Sequence, residues 1–181
     1  MPLISADVVV RWDSGINNVS PLEEEIASSE DGILLNHEYC DYQGVSIEDA
    51  MDAVNEESDL LAELEGADWN TETAEEIIEA NMEAMGLTGS LDPGVAGLVF
   101  AISALGGTPI SSCNGGVVGI TRHRSDVPHV LFTAPPVVMD RILPAAKRHR
   151  VGLIHNEGYA EAFTDHLPNL HALARELVGV E

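Results

Sequence analysis

The sequence predicts an α+β fold, in which a small antiparallel sheet is packed with helices and joined to an acidic, mainly helical N-terminal half. One observation is a set of short β-branched and apolar runs in the second half. Most are separated by brief turns, which favour antiparallel neighbours. The other is the helical spacing of apolar side chains across residues 46–83, with acidic residues between them. The core strands are predicted near residues 108–113, 117–122, 127–133 and 151–155.

A short linker divides the predicted fold into two parts. Residues 87–91 follow Gly86 and contain Gly89, and glycines are typical of connections between structured segments. We therefore divide the chain into an acidic part at 1–91, with two strands and helices, and a compact α+β core at 92–181.

The acidic part is predicted to begin with a valine-rich strand at 6–12. Ser20 and Pro21 are suited to cap and open a short helix that ends near Ser29. A second strand is expected at 33–39. Two amphipathic helices follow, at 46–66 with a potential break near 55–58, and from Asn70 to Gly86. Their predicted inward residues are Ile47, Met51, Val54, Leu60, Leu61 and Leu64 in the first, and Ile77, Ile78, Met82 and Met85 in the second.

The core is organised around one apolar helix. Asp92 and Pro93 are suited to its cap and first position, and residues 95–105 are almost wholly apolar, so this helix must be covered on most faces. Gly106-Gly107 ends it. Beyond the strands, a helix is expected from Pro136 to about Arg148, and a final helix over 167–178, capped by Thr164 or Asp165.

The net charge lies entirely in the first half. Residues 1–93 contain 24 acidic residues and one basic residue, whereas residues 94–181 contain seven of each. Three interpretations fit this asymmetry: a solvated face that maintains solubility, a surface that docks on a basic partner, or adaptation to high salt. The single lysine, Lys147, is compatible with salt adaptation, but a GC-rich genome also favours arginine.

We expect an acidic cytoplasmic binding protein of inhibitor, immunity or adaptor type that engages a basic protein partner. Acidic residues of the second amphipathic helix repel one another at i,i+4 spacing without a lysine to offset them, which motivates a partner there. Direct nucleic-acid binding is disfavoured, because phosphates are repelled and only eight residues are aromatic. The predicted partner-binding residues are Glu72, Glu75, Glu76, Glu79 and Glu83.

The alternative is a small enzyme or ligand-binding domain at the end of the first core strand. Small polar residues followed by glycines allow a ligand to approach the backbone. Cys113 is a possible nucleophile if His129, on a neighbouring strand end, lowers its pKa; a tight hairpin with a buried cysteine is the structural interpretation of the same residues. The candidate ligand-binding residues are Ser111, Ser112, Asn114, Gly115 and Gly116.

The same segment, Thr-Pro-Ile-Ser-Ser-Cys-Asn-Gly at 108–115, resembles the Ser-Ser-Cys-Ser-Gly strand of wybutosine-synthesis methyltransferases. The likeness covers fewer than ten residues, and the family's activity is not carried over from it.

Other features of the chain are less specific. The histidines show no metal-binding spacing, so no metal site is predicted, and no cofactor is indicated. The cysteines, Cys40 and Cys113, fit reduced thiols. A basic cluster is expected to pair with the acidic half of the chain or to complement the end of the helix that begins at Pro136, and binding of a phosphate or nucleotide is the alternative. Its members are Arg122, His123, Arg124, Arg141, Lys147, Arg148, His149 and Arg150. With neither a membrane-length apolar run nor a signal-peptide pattern, the chain is expected to be cytoplasmic.

Overall fold

A computed structural model describes residues 9–21, 41–67, 69, 71–84, 91–116, 125, 127–156 and 158–180. These ranges contain five α-helices, a 3-10 helix at Ser14–Asn18 and a four-stranded antiparallel sheet, which confirms the α+β fold. The helices are α1 (Ile47–Ala67), α2 (Glu72–Ala84), α3 (Ala96–Ala104), α4 (Pro136–Arg148) and α5 (Pro168–Val178), and the strands are β1 (Thr108–Cys113), β2 (His129–Thr133), β3 (Gly152–Asn156) and β4 (Tyr159–Phe163).

The sheet has the strand order β1-β2-β4-β3. In the first pair, Thr108 lies opposite Thr133 and Cys113 lies opposite His129, with an irregularity between Pro109 and Ser111. β4 lies between β2 and β3 and pairs with both of them. The last residue of β1 therefore lies beside the first residue of β2, and the candidate cysteine site is at this end of the two strands.

Three of the four predicted core strands correspond to described strands. β1 has the predicted limits, while β2 begins at His129 rather than at 127 and β3 is shifted by one residue. The strand predicted at 117–122 lies outside the described residues. β4 was not predicted, because its sequence Tyr-Ala-Glu-Ala-Phe contains two alanines, which are depleted in strands. Hydrogen bonding to β2 on one side and β3 on the other stabilises this strand despite its low β propensity.

The core forms around α3. Every residue from Ala96 to Ser103 is buried, as the unbroken apolar run predicts. This helix packs against α1 and α5 and against the sheet strands β1 and β2. Val130, Phe132 and Leu153 contribute the buried sheet side chains to the same hydrophobic cluster.

Within the N-terminal part, the structure supports the helical prediction where it describes the chain. α1 is continuous through the potential break at 55–58, and α2 follows it after Thr71, whose hydroxyl accepts the backbone N–H of Ala74. Ile47 is 41% exposed rather than inward. Residues 22–29 of the predicted short helix and the strand predicted at 33–39 lie outside the described residues.

The N-terminal segment extends the sheet by one parallel bridge. Trp12 pairs with Leu153, and two backbone hydrogen bonds join Arg11 and Asp13 to the same residue of β3. The described end of the strand predicted at 6–12 thus lies against the edge of the sheet, and residues 6–8 lie outside the description.

The helix starts differ from the sequence predictions in two places. α3 begins at Ala96 rather than at Pro93, and α5 begins at Pro168 without a side-chain cap at its first residue. Thr164 instead accepts hydrogen bonds from the His166 N–H and the Asn169 side chain. Among the described helices, none is long and apolar enough to cross a membrane.

Candidate functional site

The Ser111–Gly116 segment forms the end of β1 and the turn after it. Ser111 and Cys113 share one face of the strand, while Ser112 lies on the other face opposite Val130. Since Cys113 and His129 lie directly opposite each other, their side chains start about 4.5–5.5 Å apart at Cβ. The sheet therefore brings together the two residues that the sequence proposed as a nucleophile and its base.

The backbone N–H groups of the turn already have acceptors within the chain. Asn114 donates to Asp92 Oδ2 at 3.1 Å, Gly115 donates to Cys113 Sγ at 3.3 Å, and Gly116 donates to Asn114 Oδ1 at 3.0 Å. An anion at this turn has to displace these bonds and lie close to the Asp92 carboxylate. The local geometry therefore disfavours anion binding by the backbone.

Burial raises the pKa of the Cys113 thiol above its ordinary value, and the charge of Asp92 acts in the same direction. Hydrogen bonds from the backbone N–H groups of Gly115, Ser125 and Gly116 oppose this shift without reversing it. The protonated thiol is thus favoured, whereas a nucleophilic cysteine needs the thiolate.

His129 has hydrogen-bond partners of its own near the same end of the strands. Its Nδ1 atom lies 3.0 Å from Ser125 Oγ and 3.2 Å from the Val127 carbonyl oxygen. Ser125 Oγ also donates to that carbonyl. These bonds orient the imidazole at the start of β2.

One polar atom at the turn has no hydrogen-bond partner within the structure that is described. The Asn114 side chain is 1% exposed, and its Nδ2 group is buried without an acceptor. A buried amide donor ordinarily has a partner, so this atom is the feature of the turn that the fold by itself leaves unexplained.

The acidic site residues lie on the outer side of α2. Glu72, Glu76 and Glu79 are exposed, Glu75 is partly exposed, and the side chain of Glu83 lies outside the description. The opposite side of α2 packs through Ala74, Ile77 and Ile78. Four of the five predicted partner-binding residues are therefore described, and they lie on the solvent side of this helix.

Four described basic side chains of the second half, Arg141, Arg148, His149 and Arg150, contact acceptors in that half. Arg148 forms a salt bridge with Glu176, and His149 Nε2 lies 2.8 Å from the same carboxylate. The adjacent guanidinium of Arg148 lowers the pKa of Glu176. Arg141 donates to the Leu177 carbonyl at 3.2 Å. These intramolecular contacts join α4 to α5.

A buried polar group that the sequence analysis missed joins three helices. Glu57 on α1 is 1% exposed, and its carboxylate accepts the N–H groups of Gly94 at 2.9 Å and Gly97 at 3.1 Å. Its Oε2 atom lies 2.7 Å from His171 Nδ1 on α5. The sequence did contain an indication of this burial, because helical spacing places Glu57 on the apolar face of α1.

Glycine is required at both backbone donors. Gly94 has φ +90°, and a Cβ atom there would lie 2.5 Å from the Leu167 side chain. A Cβ atom on Gly97 would lie 2.7 Å from Glu57 Oε2. The two glycines therefore allow a carboxylate from another helix to reach the start of α3, where partial positive charge favours it.

No group of three or more His, Cys, Asp or Glu residues suited to a metal ion occurs within the described ranges. Cys113 forms no disulfide within those ranges, and Cys40 lies outside them. Comparison of the chain with protein-family models, with curated proteins and with solved structures finds no match.

Proposed function

We propose that the protein is an acidic binding protein that engages a basic protein partner through the outer faces of α1 and α2, as an inhibitor, immunity protein or adaptor does. The observation that carries this proposal is an uncompensated acidic surface on these two helices. Several exposed carboxylates of these helices form no salt bridge with Lys147 or with an arginine among the described residues. They are Glu48, Asp52, Asp59, Glu63, Glu65, Glu72, Glu76 and Glu79.

The arrangement of these carboxylates supports a docking surface. On α1, Glu48, Asp52, Asp59 and Glu63 follow helical spacing on the side opposite the buried residues, so they form a stripe roughly 22 Å long at 1.5 Å per residue. Glu72, Glu76 and Glu79 form a second stripe on α2, and α2 packs against α1. A partner with clustered lysine or arginine side chains complements such a surface.

Three described basic residues near the end of α4 contact carboxylates of the second half rather than those of α1 and α2. Arg148 and His149 bind Glu176 on α5, and Arg150 lies 4.0 Å from Asp165. An unscreened acidic surface accelerates encounter with a basic protein, and this acceleration declines as salt rises.

The test is capture of partners by the tagged full chain from its native lysate after nuclease treatment, read by mass spectrometry at low and high salt. We expect a basic protein that is lost at high salt. The double variant Glu72→Gln with Glu76→Gln should weaken its capture. The matched control, Asp140→Asn with Glu161→Gln, removes the same charge from α4 and β4 and should not.

Two results contradict the proposal. One is a partner whose binding is unchanged by salt. The other is a partner lost equally in both double variants, since this would show a response to net charge rather than to the surface of α1 and α2.

A second candidate function is ligand binding at the turn after β1, and one observation favours it. The buried Nδ2 group of Asn114 has no acceptor among the described residues, and a ligand oxygen is suited to supply one. If so, Asn114→Ala should abolish the thermal stabilisation given by any ligand found in a small-molecule screen. The control Asn156→Ala, at the opposite end of the sheet, should preserve that stabilisation. Equal stabilisation of wild type and Asn114→Ala would refute this candidate.

A further inference from the structure

A second buried polar atom without a partner lies at the same end of the sheet as Asn114. This atom is Nδ1 of His166, in the loop between β4 and α5. Within the described ranges, neither His166 Nδ1 nor Asn114 Nδ2 has a hydrogen-bond partner. Buried polar atoms ordinarily have one. Because the two residues belong to separate segments of the chain, a single local irregularity does not explain both atoms.

The turn after β1 connects Pro128 with the segment that precedes α3. Gly115 lies so close to Pro128 that a Cβ atom on this glycine would be 2.8 Å from the Pro128 nitrogen. On the other side of the turn, the Asn114 N–H donates to Asp92 Oδ2 at 3.1 Å. Asn114 is therefore held between Pro128 and Asp92.

The loop between β4 and α5 connects the same two places. The Thr164 N–H donates to the Pro128 carbonyl oxygen at 3.2 Å, and the Thr164 hydroxyl accepts the His166 N–H at 3.1 Å. The next residue, Leu167, lies against the segment before α3, because a Cβ atom on Gly94 would be 2.5 Å from its side chain. The loop and the turn therefore enclose one small region from two sides.

The groups around this region favour a neutral ligand over an anion. Burial and the charge of Asp92 both raise the pKa of the Cys113 thiol, and the same charge opposes a bound anion. At the start of α3, the backbone N–H groups of Gly94 and Gly97 already donate to Glu57. An anion therefore meets a carboxylate and lacks these two helix donors, which otherwise suit it.

The two unpartnered atoms determine which groups the ligand carries. Asn114 Nδ2 is only a donor, so it needs an acceptor oxygen, and a cation that has donors alone does not supply one. His166 Nδ1 donates in one tautomer of the ring and accepts in the other. A carboxamide fits either tautomer, because its carbonyl oxygen accepts hydrogen bonds and its N–H groups donate them.

We propose that this end of the sheet binds a small neutral carboxamide, whose carbonyl oxygen accepts from Asn114 Nδ2 and whose amide group hydrogen-bonds His166 Nδ1. We call the region around these two atoms the amide site. The proposal rests on the second candidate function, ligand binding at the turn after β1, and adds to it a second binding residue and a class of ligand. Because both atoms are buried, the carboxamide has to displace the turn or the β4–α5 loop as it enters.

The test compares three probes of the same size and shape on the full chain, at one pH and one ionic strength. Acetamide has an acceptor and a donor, acetate has acceptors and a negative charge, and acetamidinium has donors and a positive charge. Binding is followed by NMR of the Asn114 side-chain amide and of the His166 ring. We expect saturable shifts of both signals with acetamide and no saturable shift with either ion.

Variants of the two residues test their separate roles. Asn114→Asp retains an oxygen that can accept the Gly116 N–H and replaces the Nδ2 donor with an acceptor. It should abolish the response of His166 to acetamide and allow acetamidinium to bind, an exchange of preference that a loss of structure does not produce. His166→Ala should weaken acetamide binding by about two- to tenfold, the effect of one hydrogen bond. The control Asn156→Ala, at the opposite end of the sheet, should bind acetamide as the wild type does.

The outcomes distinguish failure of this proposal from failure of the function on which it rests. Acetamide shifts confined to Asn114 would overturn the amide site but leave ligand binding at the turn in place. Saturable shifts with acetate or acetamidinium in the wild type would overturn the assignment of a carboxamide in the same way. The absence of a saturable shift with any probe would also overturn the proposal, whereas the thermal screen would still test ligand binding at the turn. These comparisons need only the wild type, so they apply even if a variant does not fold.

Discussion

The two sides of α1 carry the same acidic chemistry in opposite environments. On the inner side, the Glu57 carboxylate is buried and accepts hydrogen bonds from Gly94, Gly97 and His171. On the outer side, Glu48, Asp52 and Glu63 are exposed and form no salt bridge with a described lysine or arginine. A buried carboxylate needs this complete compensation because desolvation of a charge is costly, whereas water alone compensates an exposed one.

The difference teaches that acidity in this protein has two separate consequences. The inner carboxylate fixes the packing of three helices, so its removal should affect stability. The outer carboxylates contribute little to stability and determine the electrostatic surface, so their removal should affect association. The following predictions test this separation, beginning with the largest expected change.

Replacement of Glu57 should give the largest loss of stability. Glu57→Ala leaves two backbone N–H groups and His171 without their buried acceptor, and we expect a loss of about 3–5 kcal/mol in the free energy of unfolding. Urea denaturation followed by circular dichroism measures it. The control Asp52→Ala, on the exposed side of the same helix, should change stability by less than about 0.5 kcal/mol. Similar losses in both variants would refute the distinction.

Replacement of Gly94 should also be strongly destabilising. Gly94→Ala places a Cβ atom 2.5 Å from the Leu167 side chain at a residue with φ +90°, so we expect a loss of about 2–4 kcal/mol. Gly66→Ala is the matched control, because open space surrounds that helical position and alanine should stabilise it by about 0.5–1 kcal/mol. Thermal unfolding of both variants decides between these outcomes.

Cys113 tests the effect of burial on a group without a compensating charge. Because burial raises the pKa of this thiol, the folded state retains the proton more strongly than the unfolded state. This contribution is complete below the unfolded thiol's pKa and is lost as the pH rises toward the higher folded value. Urea denaturation should therefore show a greater alkaline loss of stability in the wild type than in Cys113→Ala.

Alkylation provides a second measure of the same thiol. At about pH 8, near the ordinary thiol range, iodoacetamide should modify Cys113 far more slowly in the folded protein than in urea. Peptide mass spectrometry separates its modification from that of Cys40. Rapid modification in the folded protein would support the nucleophile interpretation instead.

Neutralising the outer surface should give the smallest change in stability. Glu72→Gln combined with Glu76→Gln removes an i,i+4 repulsion, so we expect a gain of about 0.2–0.5 kcal/mol at low salt that disappears at about 1 M salt. Asp140→Asn, which has no acidic neighbour at that spacing in α4, should show no such gain. A loss of several kcal/mol in the free energy of unfolding would instead show that the outer face contributes to folding stability.

The candidate cysteine site was predictable in its position but not in its chemistry. The run ending at Cys113 indicated a strand, and the sheet then brought His129 opposite it. The sequence did not indicate that Asp92, 22 residues away from Asn114, binds this turn. Nor does a residue pattern report the burial that raises the thiol pKa.

The sequence alone determined the segregation of charge and most helix and strand positions, because periodicities of 3.6 and 2 residues are local properties. It also placed α3 at the centre, since a helix apolar on every side must be covered. Tertiary structure decided the missed strand β4 and the capping of α3 by Glu57, whose partner His171 lies 114 residues away. Such contacts depend on how helices and strands pack, so their compensation of a buried charge becomes visible only in the folded chain.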